Sequence, residues 1–150
     1  MSQPRAFRRP ESVLVVIHTF DRKCLLLRRV EPPDFWQSVT GTLRWGESPA
    51  AAAAREVMEE TGLDPAALRD AGEQRSFSIM PAWRDRYAPD VERNVEHWWY
   101  LEVPAIVPIR INPAEHTEYC WLPVGEAAAK VGSWTNREAL ERLAAGDDDV

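Results

Sequence analysis

The sequence predicts a single α+β domain, with one mixed β-sheet and helices packed on both faces, spanning residues 1–150. Three observations predict it. Apolar, β-branched runs intermingle with helical segments but lack the regular strand–helix alternation of a wholly parallel sheet. No internal repeat or linker-like stretch divides the chain. Its 150 residues also suffice to bury about two thirds of the unfolded surface in one core.

Ser12 to Phe20 is apolar and β-branched and predicts a buried strand. Lys23 to Arg29 predicts a second strand, with Asp21-Arg22 as the turn between them. Glu31 to Asp34 holds two prolines and predicts a loop, and Phe35 to Val39 a short strand running into Thr40-Gly41. The strongest helix starts after Ser48, a good N-cap, with Pro49 at its first position. Ala51 to Ala54 favour the helix and Gly62 ends it. Asp64 to Asp70 predicts a brief helical turn, Glu73 to Met80 a strand, and Pro81 to Asn94 a long Arg-rich loop. Val95 to Val103 and Thr117 to Leu122 predict strands, and Val124 to Val131 a short helix. Thr135 and Glu138 predict a capping box for a last helix to Ala145, followed by a frayed acidic tail from Gly146 to Val150.

Composition excludes several function classes. A net charge of -6 argues against a protein that coats a nucleic acid polymer. No apolar run approaches the roughly 18 residues that span a bilayer, and the basic N-terminus lacks a secretory apolar stretch. Cys24 and Cys120 lie in apolar segments, as buried free thiols of a cytoplasmic protein would. Charge is unevenly spread, however. Arg5, Arg8, Arg9, Arg22, Lys23, Arg28 and Arg29 face only Glu11 and Asp21 in the first 30 residues, so the acidic excess falls on the rest. A triphosphate bound with a metal ion needs both an anion site and an acidic site.

The acidic site is legible in the helix after Ser48. Glu56, Glu59 and Glu60 fall at i, i+3 and i+4, so their carboxylates share one face. Like charges at that spacing repel by roughly 0.2–0.5 kcal/mol per pair in water, and a hard divalent cation reverses the sign. Oxygen-only ligands without a cysteine or histidine pair favour Mg²⁺, with Mn²⁺ as the alternative. Gly41 and Gly46 flank a loop whose backbone N–H groups can approach an anion. Arg55, one turn before Glu59, is placed to pair with it.

This stretch resembles the signature of the Nudix family at every specified position. It reads Gly41, five residues, Glu47, seven residues, then Arg55-Glu56-Val57-Met58-Glu59-Glu60-Thr61-Gly62-Leu63. The resemblance implies an α/β/α sandwich, with residues 41–63 as a loop–helix–loop, that hydrolyses a diphosphate linked to another moiety. Flanking segments, among them Arg9-Pro10, Asp34 to Gly41, Arg86 to Pro89, Glu115-His116 and Ser133 to Arg137, resemble the branch of that family that removes pyrophosphate from 7,8-dihydroneopterin triphosphate. By that resemblance Glu56, Glu60 and Glu115 hold the metal. Arg8, Arg29, Thr40, Phe77, Ser78, Ile79, Met80 and Ser133 contact substrate. Glu59 is the candidate proton acceptor, with Glu115 as the alternative. Arg44 and Trp45 depart from the acidic residues common there.

Trp36, Trp98, Trp99 and Trp121 lie in strand-like segments and read as core, whereas the loop residues Trp45 and Trp83 are free to stack on a flat ring. His18, His97 and His116 are dispersed and read as structural. The expected partner is a small-molecule triphosphate, with no nucleic acid and no membrane. A homodimer fits the family, although no segment marks an interface. Two other functions compete: a broader Nudix hydrolase of nucleoside triphosphates or nucleoside diphosphate derivatives, and a non-catalytic binding module, which would have no need of all four glutamates.

Overall fold

The computed structural model describes residues 7–146; the acidic tail beyond Gly146 lies outside the described residues. Among these residues, seven strands form one mixed sheet: β1 (Glu11–Thr19), β2 (Lys23–Arg29), β3 (Trp36–Gln37), β4 (Val39–Thr42), β5 (Arg69–Ser78), β6 (Arg93–Val103) and β7 (His116–Pro123). Among the described residues, three α-helices accompany them: α1 (Pro49–Thr61), α2 (Val124–Lys130) and α3 (Trp134–Ala144).

The central strand is β1. One edge pairs in parallel with β6 along its whole length, from Glu11↔Val95 to Thr19↔Val103. The remaining pairing of β1 is divided. Ser12 to Val15 pair with β4, whereas β2 joins only near the far end, at His18↔Cys24. β2 carries β3 and β7 away with it, so the sheet forks beside the first half of β1.

Alternation along β1 feeds two cores. Val13, Val15 and Ile17 pack with Ala52, Ala53 and Val57 of α1. Leu14 and Val16 pack on the other face with Trp98, Tyr100 and Ala127, and with Ala139, Leu140 and Leu143 of α3. The three-layer sandwich is therefore as expected. Each fully buried leucine here contributes roughly 1.5–3 kcal/mol by leaving water. Trp98 is fully buried and Trp99 nearly so, while Trp36 and Trp121 are half-buried at the margins.

The helix caps follow local chemistry. Ser48 Oγ accepts the Ala51 N–H at 3.1 Å, and Gly62 adopts φ 75°, a left-handed end that a side chain would strain. Other expectations need correction. Residues 64–70 hold only a single turn, closed by the Leu68 N–H on the Pro65 carbonyl at 3.0 Å; β5 already starts at Arg69 and ends at Ser78, where Glu73–Met80 was predicted. The Phe35–Val39 segment splits into β3 and β4 at Ser38, whose backbone N–H is taken by Asn136 Oδ1 at 2.8 Å and is thereby diverted from a continuous ladder. The long loop opens with a 3-10 helix, Pro81–Arg86. The cap of α3 is Ser133, whose Oγ accepts the Asn136 N–H at 3.3 Å, so the Thr135–Glu138 capping box does not form.

Candidate active site

The fork opens into a cavity of about 790 Å³. Because it passes between strands, residues from both faces of the sheet reach it. α1 supplies Arg55, Glu56, Glu59 and Glu60, and β4 supplies Thr40, Gly41 and Thr42. Arg8, Arg29 and Arg86 also line it, as do Phe77 to Met80, Trp83, Glu115 and Ser133. Every residue expected to bind substrate or metal therefore borders one space.

The three acids of α1 are not equivalent. Glu56 and Glu60 are buried, at 8% and 3% exposure, whereas Glu59 is half-exposed at the rim. Burial pushes the Glu60 carboxyl well above the usual carboxylate range; Glu56 and then Glu115 add repulsion, while the Thr40 backbone N–H partly offsets them. Glu56 is raised as well, by burial first, against hydrogen bonding with Glu60 and the charge of Arg55. The two behave as one coupled pair. Glu60 Oε1 is buried without a hydrogen-bond partner.

Arg55 orders this end of the cavity. Its Nε and Nη2 hold Glu47 at 2.8 Å each, and Nη1 reaches Glu56 Oε2 at 2.9 Å and Glu59 Oε1 at 3.3 Å. Nη2 also donates to the Thr42 carbonyl at 3.2 Å, tying α1 to β4. Hydrogen bonding to Arg55 pulls the Glu47 carboxyl down to about 2, despite opposing burial. Glu47 thus anchors Arg55, and the expected pairing of Arg55 with Glu59 is one of its several contacts.

Arg29 is half-buried opposite the acids, feeling Glu60 and Glu115 on one side and Arg86 and Arg8 on the other. Burial lowers its pKa, with those charges acting in both directions. Its guanidinium lies 5.5 Å from the centre of the Trp83 ring. The Arg8 N–H donates to the Arg86 carbonyl at 2.8 Å, and Arg8 Nη1 donates to Thr42 Oγ1 at 3.3 Å. These cations meet the acidic helix across the cavity, the charge arrangement a metal-bound polyphosphate requires.

Some expected roles shift. The Thr40 hydroxyl is committed to the Val13 carbonyl at 2.9 Å, so Thr40 reaches the site chiefly through its backbone. Trp45 does not border the cavity; its indole N–H binds the Phe7 carbonyl at 2.8 Å and pins the segment carrying Arg8. His116 lies 4.0 Å from Glu60 and is buried, and its pKa falls to about 4 by burial and then by Arg29, so the ring is neutral.

A divalent cation fits the Glu56–Glu60 pair. The donors are hard carboxylate oxygens, one has no partner, and mutual repulsion is the charge a cation relieves. Glu115 is tied by its carbonyl to the Val30 N–H at 2.9 Å, beside Arg29. Among the described residues, no three His, Cys, Asp or Glu side chains converge into a ready metal cage, so the structure does not bring the expected third ligand onto the pair.

Asn94, Glu96 and Gln37 also line the cavity, although the sequence did not single them out as site residues. Asn94 and Glu96 sit two apart on a mainly apolar strand, a spacing that could have marked them as facing one space.

Comparison with known proteins accords with this geometry. The NUDIX domain profile matches residues 8–143. The chain is 44% identical over 144 residues to the dihydroneopterin triphosphate diphosphatase of Escherichia coli, covering 93% of this chain and 95% of that one. It is 39% identical over 142 residues to the enzyme of the same name from Haemophilus influenzae, covering 91% and 88%. The structure of the E. coli dihydroneopterin triphosphate pyrophosphohydrolase superposes with a TM-score of 0.87 at 42% identity, covering 94% and 99%. A C. elegans Ap4A hydrolase shares the fold, with a TM-score of 0.71 at 18% identity over 93% and 98%.

Proposed function

Since this chain belongs to the NUDIX family, we propose that it hydrolyses 7,8-dihydroneopterin triphosphate to dihydroneopterin monophosphate and pyrophosphate. The observation that carries this reading is the buried Glu56–Glu60 pair, with an unpartnered oxygen, facing Arg8, Arg29 and Arg86 across one cavity. The relatives named for this activity match the chain almost end to end, which supports the substrate.

Nudix hydrolysis needs a divalent metal ion, and Mg²⁺ suits these all-oxygen donors best. Glu56 and Glu60 would hold it; Glu115, which lines the same cavity without converging on the pair, would join them when the ion binds. When bound, the ion supplies Lewis acidity toward the phosphate oxygens and the attacking water. The chain's own residues do the rest. Arg8, Arg29 and Arg86 orient the triphosphate and neutralise the charge that builds on the departing pyrophosphate. Glu59 is the one acid of the helix outside the buried pair, and Arg55 fixes it at 3.3 Å. It takes the proton of the water as the oxygen–phosphorus bond forms and the anhydride bond breaks.

The reading includes a small-molecule substrate without nucleic acid, a homodimer as its assembly, and a cytoplasmic location. Free Cys24 and Cys120 support that location, and no helix among the described residues is long and apolar enough to cross a membrane. The test is a substrate panel with Mg²⁺, comparing kcat/KM for dihydroneopterin triphosphate and the common nucleoside triphosphates by pyrophosphate release. A tenfold or greater preference for the pterin triphosphate is expected. An equal preference for a deoxynucleotide would instead support the broader nucleotide hydrolase.

A further inference from the structure

The end of the cavity away from α1 is polar in a way that phosphate chemistry does not use. Asn94 and Glu96 lie two apart on β6 and so face the same side, the face that carries Trp98 and Tyr100. That is opposite the face on which α1 packs. Both are buried, at 4% and 5% exposure, and both line the cavity.

Their free hydrogen-bonding capacity is of one kind. Asn94 Nδ2 donates to Ser12 Oγ at 2.8 Å, which leaves Oδ1 buried without a partner. Glu96 Oε1 accepts the Trp98 indole N–H at 3.1 Å, and the carboxyl also bonds to Thr135. Ser133 and Thr135 hydroxyls lie 2.9 Å apart, so a donor chain can run from Ser133 through Thr135 to Glu96. An ionised carboxylate accepts about four hydrogen bonds, so two donors leave acceptor capacity on a side chain that lines the cavity. Burial raises the Glu96 carboxyl in spite of Thr135 and Trp98, and further donors would relieve that cost.

We infer that Asn94 and Glu96 form the site that selects the heterocycle of the substrate, and that it takes a ring edge offering an amino group beside a lactam N–H. Resting on the function proposed above, this assigns specificity to residues that do no chemistry. A 2-amino-4-oxopyrimidine edge carries those two adjacent donors, and pterin and guanine rings share it. Hypoxanthine lacks the amino group, and the adenine edge sets a donor beside an acceptor. A site built of buried acceptors rejects rings that leave those acceptors unpaired.

The test is equilibrium binding by calorimetry in EDTA, where no turnover occurs. Dihydroneopterin triphosphate, GTP and ITP are compared on the wild-type chain, on Glu96→Gln and on Asn94→Ala. GTP and ITP differ only in the 2-amino group. The wild-type protein should bind GTP and the pterin at least tenfold more tightly than ITP. Each variant should bring the GTP-to-ITP ratio to within about threefold of one, with melting temperatures confirming that it folds. A wild-type protein that binds GTP and ITP alike, or binds none of the three, overturns the inference without reliance on any variant. So do folded variants that keep the preference. Failure of the catalytic reading is separate, and appears as absent metal-dependent turnover of the pterin triphosphate by a protein that still prefers GTP to ITP.

Discussion

Glu56 Oε2 occupies the space beside Gly41 so closely that a Cβ on residue 41 would stand 2.0 Å from it. The glycine that opens the motif thus makes room for a carboxylate of the helix that closes it. Gly41→Ala should displace Glu56 and lower kcat/KM at least a hundredfold, about 2.7 kcal/mol of lost transition-state stabilisation. Steady-state kinetics with Mg²⁺ would show it, and near-normal kcat/KM would mean that Glu56 can move without consequence.

Glu56→Gln removes a charge from the buried pair while keeping its shape. A fall of at least a hundredfold in kcat is expected, together with weaker Mn²⁺ binding by calorimetry. EDTA should abolish turnover in the wild-type protein. Unimpaired activity of the variant would take Glu56 out of the ligand set.

The Glu47–Arg55 pair predicts an acid-side loss of stability. Glu47 titrates at about 2 when folded, against 4.5 for the free group. Because the folded value is depressed, its contribution is present above pH 4.5 and disappears as pH falls toward 2. The melting temperature of Glu47→Gln should therefore lie below that of the wild-type protein at pH 6, and the gap should close toward pH 2. A gap constant across that range would show that Glu47 stabilises the fold by something other than its charge.

Cys24 is fully buried, and burial pushes its thiol up to about 12. Alkylating reagents at pH 8 should leave it unmodified in the folded protein and label it once denaturant is added, as peptide mass analysis would reveal. Rapid native labelling would contradict the burial of β2.

Trp45→Ala breaks the bond to the Phe7 carbonyl and frees the segment bearing Arg8. KM should rise several-fold while kcat changes little, because the role proposed for Arg8 is to hold phosphate, away from the attacking water. A fall confined to kcat would assign Trp45 a different role.

Much of this was legible in the chain itself. The α1 helix was readable because its cap, its alanines and its terminal glycine are all local signals. The carboxylate face followed from helical spacing alone. Reading failed where a distant partner decided the outcome. Asn136 captures the Ser38 N–H and breaks a strand in two, across 98 positions of sequence. Ser133 takes the cap that Thr135 was expected to provide, while Thr135 is buried and turned toward Glu96. Glu96 was read only as part of the Val95–Val103 strand, and the division of β1 pairing opens the cavity that it lines.

The division of β1 between β4 and β2 also bears on how this protein could change. Backbone ladders, rather than loops, set the separation between the end of the cavity proposed to handle phosphate and the end proposed to select the ring. Residues 81–92 line only part of the wall and belong to no ladder. Exchange of that segment with Arg86 retained should therefore retune which molecules are admitted while leaving the spacing between the two ends intact. A laboratory search for new substrates would do well to start there.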